Sequence, residues 1–303
     1  MTFVRITGPR AAGALSPLDP RTAAWRPDLA DIALADRIAV PHYAAPMLRA
    51  CGAAPLAMLA APDRAATMVS ELLPGEGFAV LDISGEFAWG YATFDHYVGH
   101  VAIAGLVPPP GAGRSRVLVG PGDGLALAGP TLKAPVVAPV PAGSELVIAA
   151  EDGPFAQVVE GPFAGCFLHR RHQLAPPGAA AAAADWVRLA EGFLGSPYRW
   201  GGRTRAGIDC SGLVQMAWKL AGRPARRDSD MLFADAGEDV ALSSLERGDI
   251  LWWPGHIGIM ASPTYLLHAN AHWMAVTKEP LADVLARLAA DSPGIRPRAR
   301  RPR

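Results

Sequence analysis

The sequence has no charge imbalance, no long apolar run and no secretory pattern at its start. Its 303 residues carry 28 Lys plus Arg against 28 Asp plus Glu, so no positive excess indicates nucleic-acid binding. No stretch offers about 18 uninterrupted strongly apolar residues, which predicts that no helix spans a membrane. The N-terminus lacks the basic-then-apolar order of a signal peptide. We therefore expect a protein without nucleic-acid or membrane partners.

Cysteine is also scarce. The three cysteines, Cys51, Cys166 and Cys210, cannot all pair and show no metal-ligand spacing. The sequence therefore predicts neither a disulfide framework nor a metal site, and no other cofactor is expected. Unpaired thiols suit a reducing compartment, so we predict a cytoplasmic protein. Cys51 and Cys166 are interpreted as buried apolar residues.

Cys210 stands out because a helix is predicted to begin there. Apolar residues recur at helical spacing from Leu213 to Leu220, and Gly222 provides a stop. Asp209 is a good N-cap for this helix, which places Cys210 at its first position. The unpaired amides and the dipole at a helix N-terminus favour a thiolate. We therefore expect Cys210 to be an ionised nucleophile.

Two histidines lie in short alternating segments on either side of a turn signal. If a hairpin is centred on Ser262, residues whose numbers sum to about 524 face each other, and His256 then opposes His268. Opposed side chains have Cβ atoms roughly 5 Å apart on one face of the sheet. The pair offers one imidazole as a base and a second to orient it, which is the arrangement that activates a nucleophilic thiol.

Five short segments, which include Cys210, His256 and His268, together resemble the NlpC/p60 family of papain-like cysteine peptidases over roughly residues 180–303. The resemblance implies that Cys210 is the nucleophile, His256 the general base and His268 the polar residue that orients it. His272, four residues further on, is the alternative for the third role. The segments that carry the resemblance are PYRWGG at 197–202, GIDCSGLVQ at 207–215, RGDILWW at 247–253, GHIGIM at 255–260 and LLHANA at 266–271.

Turn and proline clusters divide the rest of the chain. Residues 1–44 form an N-terminal extension, and two segments of short apolar stretches come after it at 45–109 and 115–175. Both segments resemble bacterial SH3 domains; in the first the resemblance rests on SELLPGE, Trp89 and DHYVG. The predicted fold is α+β: a papain-like NlpC/p60 catalytic domain at 180–303, preceded by two small SH3-like β-barrels.

The resemblance implies a different role for each barrel. In a subset of the family, a first barrel closes one end of the catalytic groove and restricts the enzyme to substrates with a free N-terminal residue. That implies substrate contacts for Tyr97 and Glu71 in this chain, with Glu76 as a competing choice to Glu71. The second barrel is equally well interpreted as a ligand-binding module or as a packing partner.

Four residues are candidates for substrate recognition in the catalytic domain. Asp209 could accept the ammonium of an N-terminal L-Ala, or it could serve only as the helix cap. Ser211 and Ser229 could donate to the α-carboxylate of D-Glu. By resemblance, Asp228 belongs to the same pocket, although it follows Arg226-Arg227, which indicates a solvated loop.

Two aromatic residues flank the glycine pair that precedes the predicted nucleophile. Tyr198 is placed to help the Cys210 backbone N–H stabilise an oxyanion, a contribution commonly worth about 3 kcal/mol. Trp200 is expected to form a wall of the groove.

The resemblance implies an enzyme that cuts γ-D-glutamyl–diamino acid bonds in free murein peptides with an N-terminal L-Ala. Such a cysteine-type hydrolase would serve peptidoglycan recycling in the cytoplasm. Two alternatives remain open from the sequence. One is a secreted cell-wall hydrolase or lysin that acts on intact peptidoglycan, and the other is a pseudoenzyme that binds wall fragments.

Overall fold

The structure, a computed structural model, describes residues 18–111, 116–149, 153–174 and 185–302. The chain divides into two compact units, Met1–Gly111 and Ala112–Arg303. Parts of the predicted N-terminal extension (1–17) and of the predicted start of the catalytic domain (180–184) lie outside the described residues. No helix in the described ranges is both long and apolar enough to cross a membrane.

The N-terminal segment of the first unit forms a small sheet. Its strands are β1 (Trp25–Arg26), β2 (Leu29–Asp31) and β3 (His42–Ala44), in that order. The segment packs on the next sheet of the chain, because Ala24 shares a cluster with Leu81 and Trp89. The Arg26 guanidinium lies 4.7 Å from the centroid of the Trp89 ring. The described part of the extension is thus an integral layer of this unit.

A seven-stranded antiparallel sheet makes up the rest of the first unit. Its order is β10-β4-β7-β8-β9-β5-β6, and its core includes Met58, Phe78 and Tyr97. The strands are β4 (Met47–Cys51), β5 (Leu56–Leu59), β6 (Met68–Leu72), β7 (Gly77–Ser84), β8 (Phe87–Ala92), β9 (Val98–Ala102) and β10 (Leu106–Val107).

The second unit begins with another seven-stranded sheet, ordered β13-β12-β16-β15-β14-β11-β17. Counted along the chain, the strands of both sheets lie in the same spatial order, and a one-turn 3-10 helix precedes the last strand of each. The strands are β11 (Arg116–Val119), β12 (Gly124–Leu127), β13 (Val136–Val140), β14 (Glu145–Ile148), β15 (Phe155–Glu160), β16 (Phe167–His169) and β17 (Gln173–Leu174).

Four helices and eight further strands complete the described part of the second unit. Six of these strands form one antiparallel sheet, ordered β20-β25-β21-β22-β23-β24, and β18 pairs with β19. The elements are α1 (Trp186–Glu191), β18 (Arg203–Thr204), β19 (Gly207–Ile208), α2 (Cys210–Leu220), α3 (Ser229–Asp235), β20 (Glu238–Val240), β21 (Ile250–Trp253), β22 (His256–Ser262), β23 (Tyr265–Asn270), β24 (Ala275–Pro280), α4 (Leu281–Asp291) and β25 (Arg298–Arg301).

Helix α2 is the centre of the second unit, and every one of its residues is buried. It packs on α1 and on β22 of the six-stranded sheet. A helix that is buried all round requires partners on every face. One of these partners is the seven-stranded sheet of this unit, because the Nζ of Lys219 reaches the Oε1 of Glu145 at 2.9 Å.

Candidate active site

Helix α2 begins at Cys210, as the sequence predicts. The Asp209 carboxylate accepts a hydrogen bond of 2.6 Å from the amide of Gly212, so Asp209 is the N-cap. The Cys210 side chain lies at the open end of the helix, where the first amides have no acceptor within the helix. The residue is only 6% exposed.

This burial corrects the expectation of a resting thiolate. Burial and the neighbouring Asp209 carboxylate raise the pKa of the Cys210 thiol to about 12. The backbone amides of Ile257 and Ser211 act in the opposite direction without offsetting the loss of solvation. Burial thus opposes the predicted ionisation of Cys210 more strongly than the helix N-terminus favours it.

The two histidines lie on adjacent strands, but in a different register from the predicted one. The turn places Ser262 opposite Tyr265, and a bulge at Ala261 then places Met260 opposite Leu266. The pairing sum beyond the bulge is 526 rather than 524, so His256 lies diagonal to His268 and not directly opposite it. The predicted register was wrong, whereas the predicted sharing of one face is confirmed.

The diagonal arrangement brings the two imidazole rings into contact. The Nε2 of His256 lies 2.8 Å from the Nδ1 of His268, and the rings meet edge to face with centroids 5.0 Å apart. The amide of Ile257, the residue after His256, contacts the Cys210 sulfur. By contrast, His272 lies in an exposed turn with its ring against Trp273. The structure thus brings His268, and not His272, to His256.

Both histidines are held in an environment that disfavours their charged form. Burial and the charge of His268 lower the pKa of His256 to about 3, and burial lowers the pKa of His268 as well. The free site therefore favours the neutral forms of the Cys210 thiol and of the two imidazoles. Transfer of the thiol proton to His256 leaves the net charge unchanged, and the attraction within the resulting ion pair offsets part of its desolvation.

A glutamate that the sequence did not single out completes this chain of contacts. The Oε1 of Glu279 on β24 lies 2.8 Å from the Nε2 of His268. Its Oε2 accepts from the indole Nε1 of Trp273 at 2.8 Å and from Arg287 at 2.7 Å. Burial alone would raise the pKa of Glu279, but these hydrogen bonds lower it to about 2, so the carboxylate is ionised.

A buried arginine lies on the other side of the helix N-terminus. Arg227 is 1% exposed, and its guanidinium donates to both Asp209 oxygens, at 3.0 and 2.6 Å. It also donates to the Ser211 hydroxyl at 2.7 Å. The interpretation of Arg226-Arg227 as a solvated loop was therefore wrong for Arg227, whereas Arg226 pairs with Asp235 at the surface.

This cluster occupies most of the accepting capacity of Asp209. Besides Arg227 and the Gly212 amide, the carboxylate accepts from the Gly201 amide at 2.8 Å and from the Ser211 hydroxyl at 3.1 Å. Five hydrogen bonds exceed the approximately four lone-pair sites of a carboxylate. The cap interpretation of Asp209 is thus confirmed, and a substrate ammonium at this carboxylate would have to share or replace one of its present partners.

Of the two predicted aromatic residues, Tyr198 lies near the nucleophile and Trp200 lies at the surface. Burial and the charges of Cys210 and Asp209 raise the pKa of Tyr198, so its phenol stays protonated and lies within electrostatic reach of both groups. Trp200 is 63% exposed. Exposure of so large a ring in the loop before the nucleophile is consistent with a wall that a ligand covers.

The remaining predicted site residues fall in two places. Asp228 occupies the cap position of α3 without capping it, and Ser229 is the first residue of that helix. Tyr97 and Glu71 belong to the first unit: Tyr97 lies in its apolar core, and Glu71 lies on β6, buried. Glu76, the competing choice to Glu71, accepts from the Leu73 amide at 2.8 Å. The substrate roles of these residues stay predictions.

Arg227 and Glu279 were not predicted from the sequence as residues of the site. Glu279 pairs with Leu266 across β23 and β24, so its approach to His268 depends on the register of that strand pair. The alternation of Thr277 and Glu279 on one strand is a weak signal for a shared face. Arg227 carries no local signal of burial.

The site thus combines a buried thiol at a helix N-terminus with a pair of imidazoles on the sheet that packs against this helix, the groups that cysteine peptidases use. Residues 195–284 match the NlpC/P60 family and residues 58–106 match the bacterial dipeptidyl-peptidase Sh3 domain. The chain therefore contains an NlpC/P60 domain at residues 195–284 and a bacterial dipeptidyl-peptidase Sh3 domain at residues 58–106.

Curated relatives agree with this assignment. Dipeptidyl-peptidase 6 of Lysinibacillus sphaericus is 36% identical over 84 residues, which cover 28% of this chain and 31% of that protein. A γ-D-glutamyl-L-lysine dipeptidyl-peptidase of Bacillus subtilis is 30% identical over 131 residues, 41% of this chain and 43% of that protein. The chain thus spans less than half the length of these relatives.

A solved structure extends the likeness of the fold over most of the chain. An NlpC/P60 family protein from Bacillus cereus superposes with a TM-score of 0.68 at 19% identity. The match covers 84% of this chain and 99% of that one.

Proposed function

We propose that this protein hydrolyses the γ-D-glutamyl–diamino acid bond of peptidoglycan stem peptides that carry a free N-terminal L-Ala. The observation that carries the proposal is that Cys210 begins a buried helix and contacts the amide of Ile257, the residue next to His256, whose ring contacts that of His268. The relatives named dipeptidyl-peptidase 6 and γ-D-glutamyl-L-lysine dipeptidyl-peptidase support this bond and this mode of cleavage.

In the first chemical step, the Cys210 sulfur attacks the γ-carbonyl carbon of D-Glu. The thiol proton passes to the His256 nitrogen that does not face His268, which is Nδ1. The carbonyl oxygen becomes an oxyanion, which the Cys210 amide and the protonated Tyr198 phenol can receive. His256 then gives its proton to the amine of the diamino acid as the C–N bond breaks, and a thioester remains.

Hydrolysis of the thioester reverses these roles. Water attacks the thioester carbon while His256 takes one of its protons. The C–S bond breaks, L-Ala-γ-D-Glu leaves with a new carboxylate, and the proton returns to the sulfur. Besides the peptide itself, the two steps consume only one water molecule.

Recognition of the peptide is assigned to the surroundings of the helix N-terminus. Ser211 and Ser229 are proposed donors to the D-Glu α-carboxylate, and Asp228 lies beside Ser229. Ser211 would exchange its present hydrogen bond to Asp209 for one to the substrate. The buried Arg227 donates to the Ser211 hydroxyl and holds it in place. Trp200 supplies an exposed apolar surface for the peptide.

We place this activity in the cytoplasm, where free muropeptides are recycled. The support is that Cys51, Cys166 and Cys210 are all unbonded, which suits a reducing compartment.

We further infer that the seven-stranded sheet of the second unit is a second SH3-like domain. Its strands lie in the same order as those of the sheet that matches the SH3 family. Its contact with α2 through Glu145 and Lys219 supports the role of a packing partner for the catalytic domain.

Mass spectrometry of products from L-Ala-γ-D-Glu-diamino acid peptides tests the function directly. We expect release of L-Ala-γ-D-Glu by the wild type and none by Cys210→Ala. Acetylation of the L-Ala amine should lower the rate by about tenfold or more. The acetylated amine carries no charge and cannot pair with the carboxylate predicted to hold the free ammonium, Asp209. Equal cleavage of both peptides, with release of soluble fragments from whole sacculi, would instead identify a wall hydrolase.

A further inference from the structure

Glu279 ends a continuous line of contacts that starts at the predicted general base. Its Oε1 lies 2.8 Å from the Nε2 of His268, and the Nδ1 of His268 lies 2.8 Å from the Nε2 of His256. Both imidazoles therefore use one nitrogen each in the contact between them. Which nitrogen of each ring can accept a proton depends on the tautomer of that ring.

We propose that Glu279 is a positioning residue that sets the tautomers of both histidines and thereby makes the Nδ1 of His256 the base. An ionised carboxylate only accepts hydrogen bonds, so the Nε2 of His268 must carry the proton that points to Oε1. In neutral His268, Nδ1 then has the lone pair and accepts from the Nε2–H of His256. The Nδ1 of His256 is left with the lone pair that takes the thiol proton.

The surroundings of Glu279 hold it in this role. Its Oε2 is occupied by donors from Trp273 and Arg287, so Oε1 is the oxygen that remains for His268. The hydroxyl of Thr277 donates to Oε1 at 3.2 Å and itself accepts from Asn270 at 2.8 Å. Because donors surround the carboxylate on both oxygens, it keeps its charge and its orientation during turnover.

A glutamine at position 279 would no longer fix the tautomers of the two histidines. Its amide can donate to His268, which permits the opposite tautomer: the proton then moves to the Nδ1 of His268 and points at His256. The Nε2 of His256 would have to accept it, and Nδ1 would carry a proton toward the sulfur. A histidine in this tautomer cannot remove the thiol proton, the same defect that the wrong tautomer causes in serine triads.

The first test reads the tautomers of the wild type and needs neither a variant nor a substrate. Long-range proton–nitrogen NMR spectra of protein labelled with nitrogen-15 histidine distinguish Nδ1–H from Nε2–H. Spectra of His256→Gln and His268→Asn assign the two rings. We expect the Nε2–H form for both residues. A proton on the Nδ1 of His268 overturns the proposal.

The second test is kinetic and rests on the proposed function for its substrate. Glu279→Gln should lower kcat by about tenfold or more and leave KM within about twofold. Glu246→Gln is the matched control, because Glu246 is an exposed glutamate that pairs with Arg301, and it should keep the wild-type kcat. An unchanged kcat in folded Glu279→Gln overturns the proposal. An inactive wild type would refute only the proposed function, since the spectra test the tautomers independently.

Discussion

Lys219 on helix α2 and Glu145 on strand β14 form an ion pair in which the cation is almost wholly withdrawn from water. The Nζ–Oε1 distance is 2.9 Å, and the side chains are 2% and 24% exposed, respectively. Lys219 lies on the same helix as the nucleophile, nine residues after it. The pair therefore connects the seven-stranded sheet of the second unit to the element that presents Cys210.

Glu145→Gln should destabilise the protein because it leaves the charge of Lys219 buried and without its carboxylate. Breaking a fully buried pair costs about 3–5 kcal/mol, and the partial exposure of Glu145 reduces our expectation to about 2–3 kcal/mol. Urea unfolding measures the change. Asp235→Asn, which breaks the exposed pair with Arg226, should cost less than about 1 kcal/mol. Equal effects of the two substitutions would show that Lys219 is solvated.

Arg227→Met should be more damaging than Arg226→Met, although the two arginines are neighbours. Arg227 neutralises the buried Asp209, and its loss leaves that carboxylate without a counter-charge at the N-terminus of α2. We expect a loss of about 3–5 kcal/mol in unfolding free energy and at least a tenfold drop in kcat/KM. Arg226 pairs with exposed Asp235, so its replacement should change both quantities little. Similar results for the two variants would contradict the assignment.

Alkylation of Cys210 by iodoacetamide should speed up steadily between about pH 6 and about pH 9 in the free protein. Only the thiolate reacts, and burial raises the thiol pKa to about 12, so its fraction keeps growing with pH. The rate is followed by intact-protein mass spectrometry, with Cys210→Ala as the measure of background labelling at the other cysteines. A rate that is already constant below pH 7 would reveal a preformed thiolate.

Stability should fall as the solution is acidified through the histidine range. The folded-state pKa of His256 is lowered from 6.5 to about 3, so between these values the unfolded chain binds a proton that the folded protein excludes. The contribution of His256 is therefore fully present above pH 6.5 and is lost as pH falls toward 3. Thermal unfolding across this window should show a steeper dependence for the wild type than for His256→Gln. Parallel curves would mean that His256 is solvated.

Gly258→Ala should impair catalysis by displacing His268. A Cβ at position 258 would lie 3.1 Å from the Cβ of His268 and 3.0 Å from the Cδ1 of Leu266. Because both neighbours lie on the paired strand, we expect β23 to shift and kcat to fall by about tenfold, with a smaller change in KM. Gly122→Ala is the control, since no atom lies within 4 Å of its added Cβ. Full activity in Gly258→Ala would show that β23 tolerates the methyl group.

Features that depend on local sequence could be predicted well. The start of α2 at Cys210 and the cap at Asp209 follow from residue types within a few positions of each other. The shared face of His256 and His268 was predicted from alternation on two strands, although with the observed turn it also requires the bulge at Ala261, which the sequence did not indicate. The family resemblance carried by the motifs is confirmed by the matches at residues 195–284 and 58–106.

Features that depend on distant packing could not be predicted. The pKa of Cys210 depends on how much water the folded chain excludes, and no spacing in the sequence measures that. Arg227 is buried in an ion pair with Asp209, which lies 18 positions away in the sequence. Glu279 reaches His268 only through the pairing of β23 with β24 and the turn that carries Trp273.

The single-residue bulge at Ala261 determines whether the two histidines of the active site lie on the same face of the sheet. Without it, the pairing of Ser262 with Tyr265 would continue along the hairpin and put even-numbered residues of β22 opposite odd-numbered residues of β23. His256 and His268 would then point to opposite sides of the sheet. One unpaired residue restores the match. Deletion of Ala261 would leave the same residues opposite each other in a regular ladder, whereas a hairpin that kept Ala261 but lost the bulge would separate the two imidazoles without changing any residue of the catalytic set. An alignment of related chains should accordingly compare the spacing of these histidines together with the presence of the bulge, and not the presence of the histidines alone.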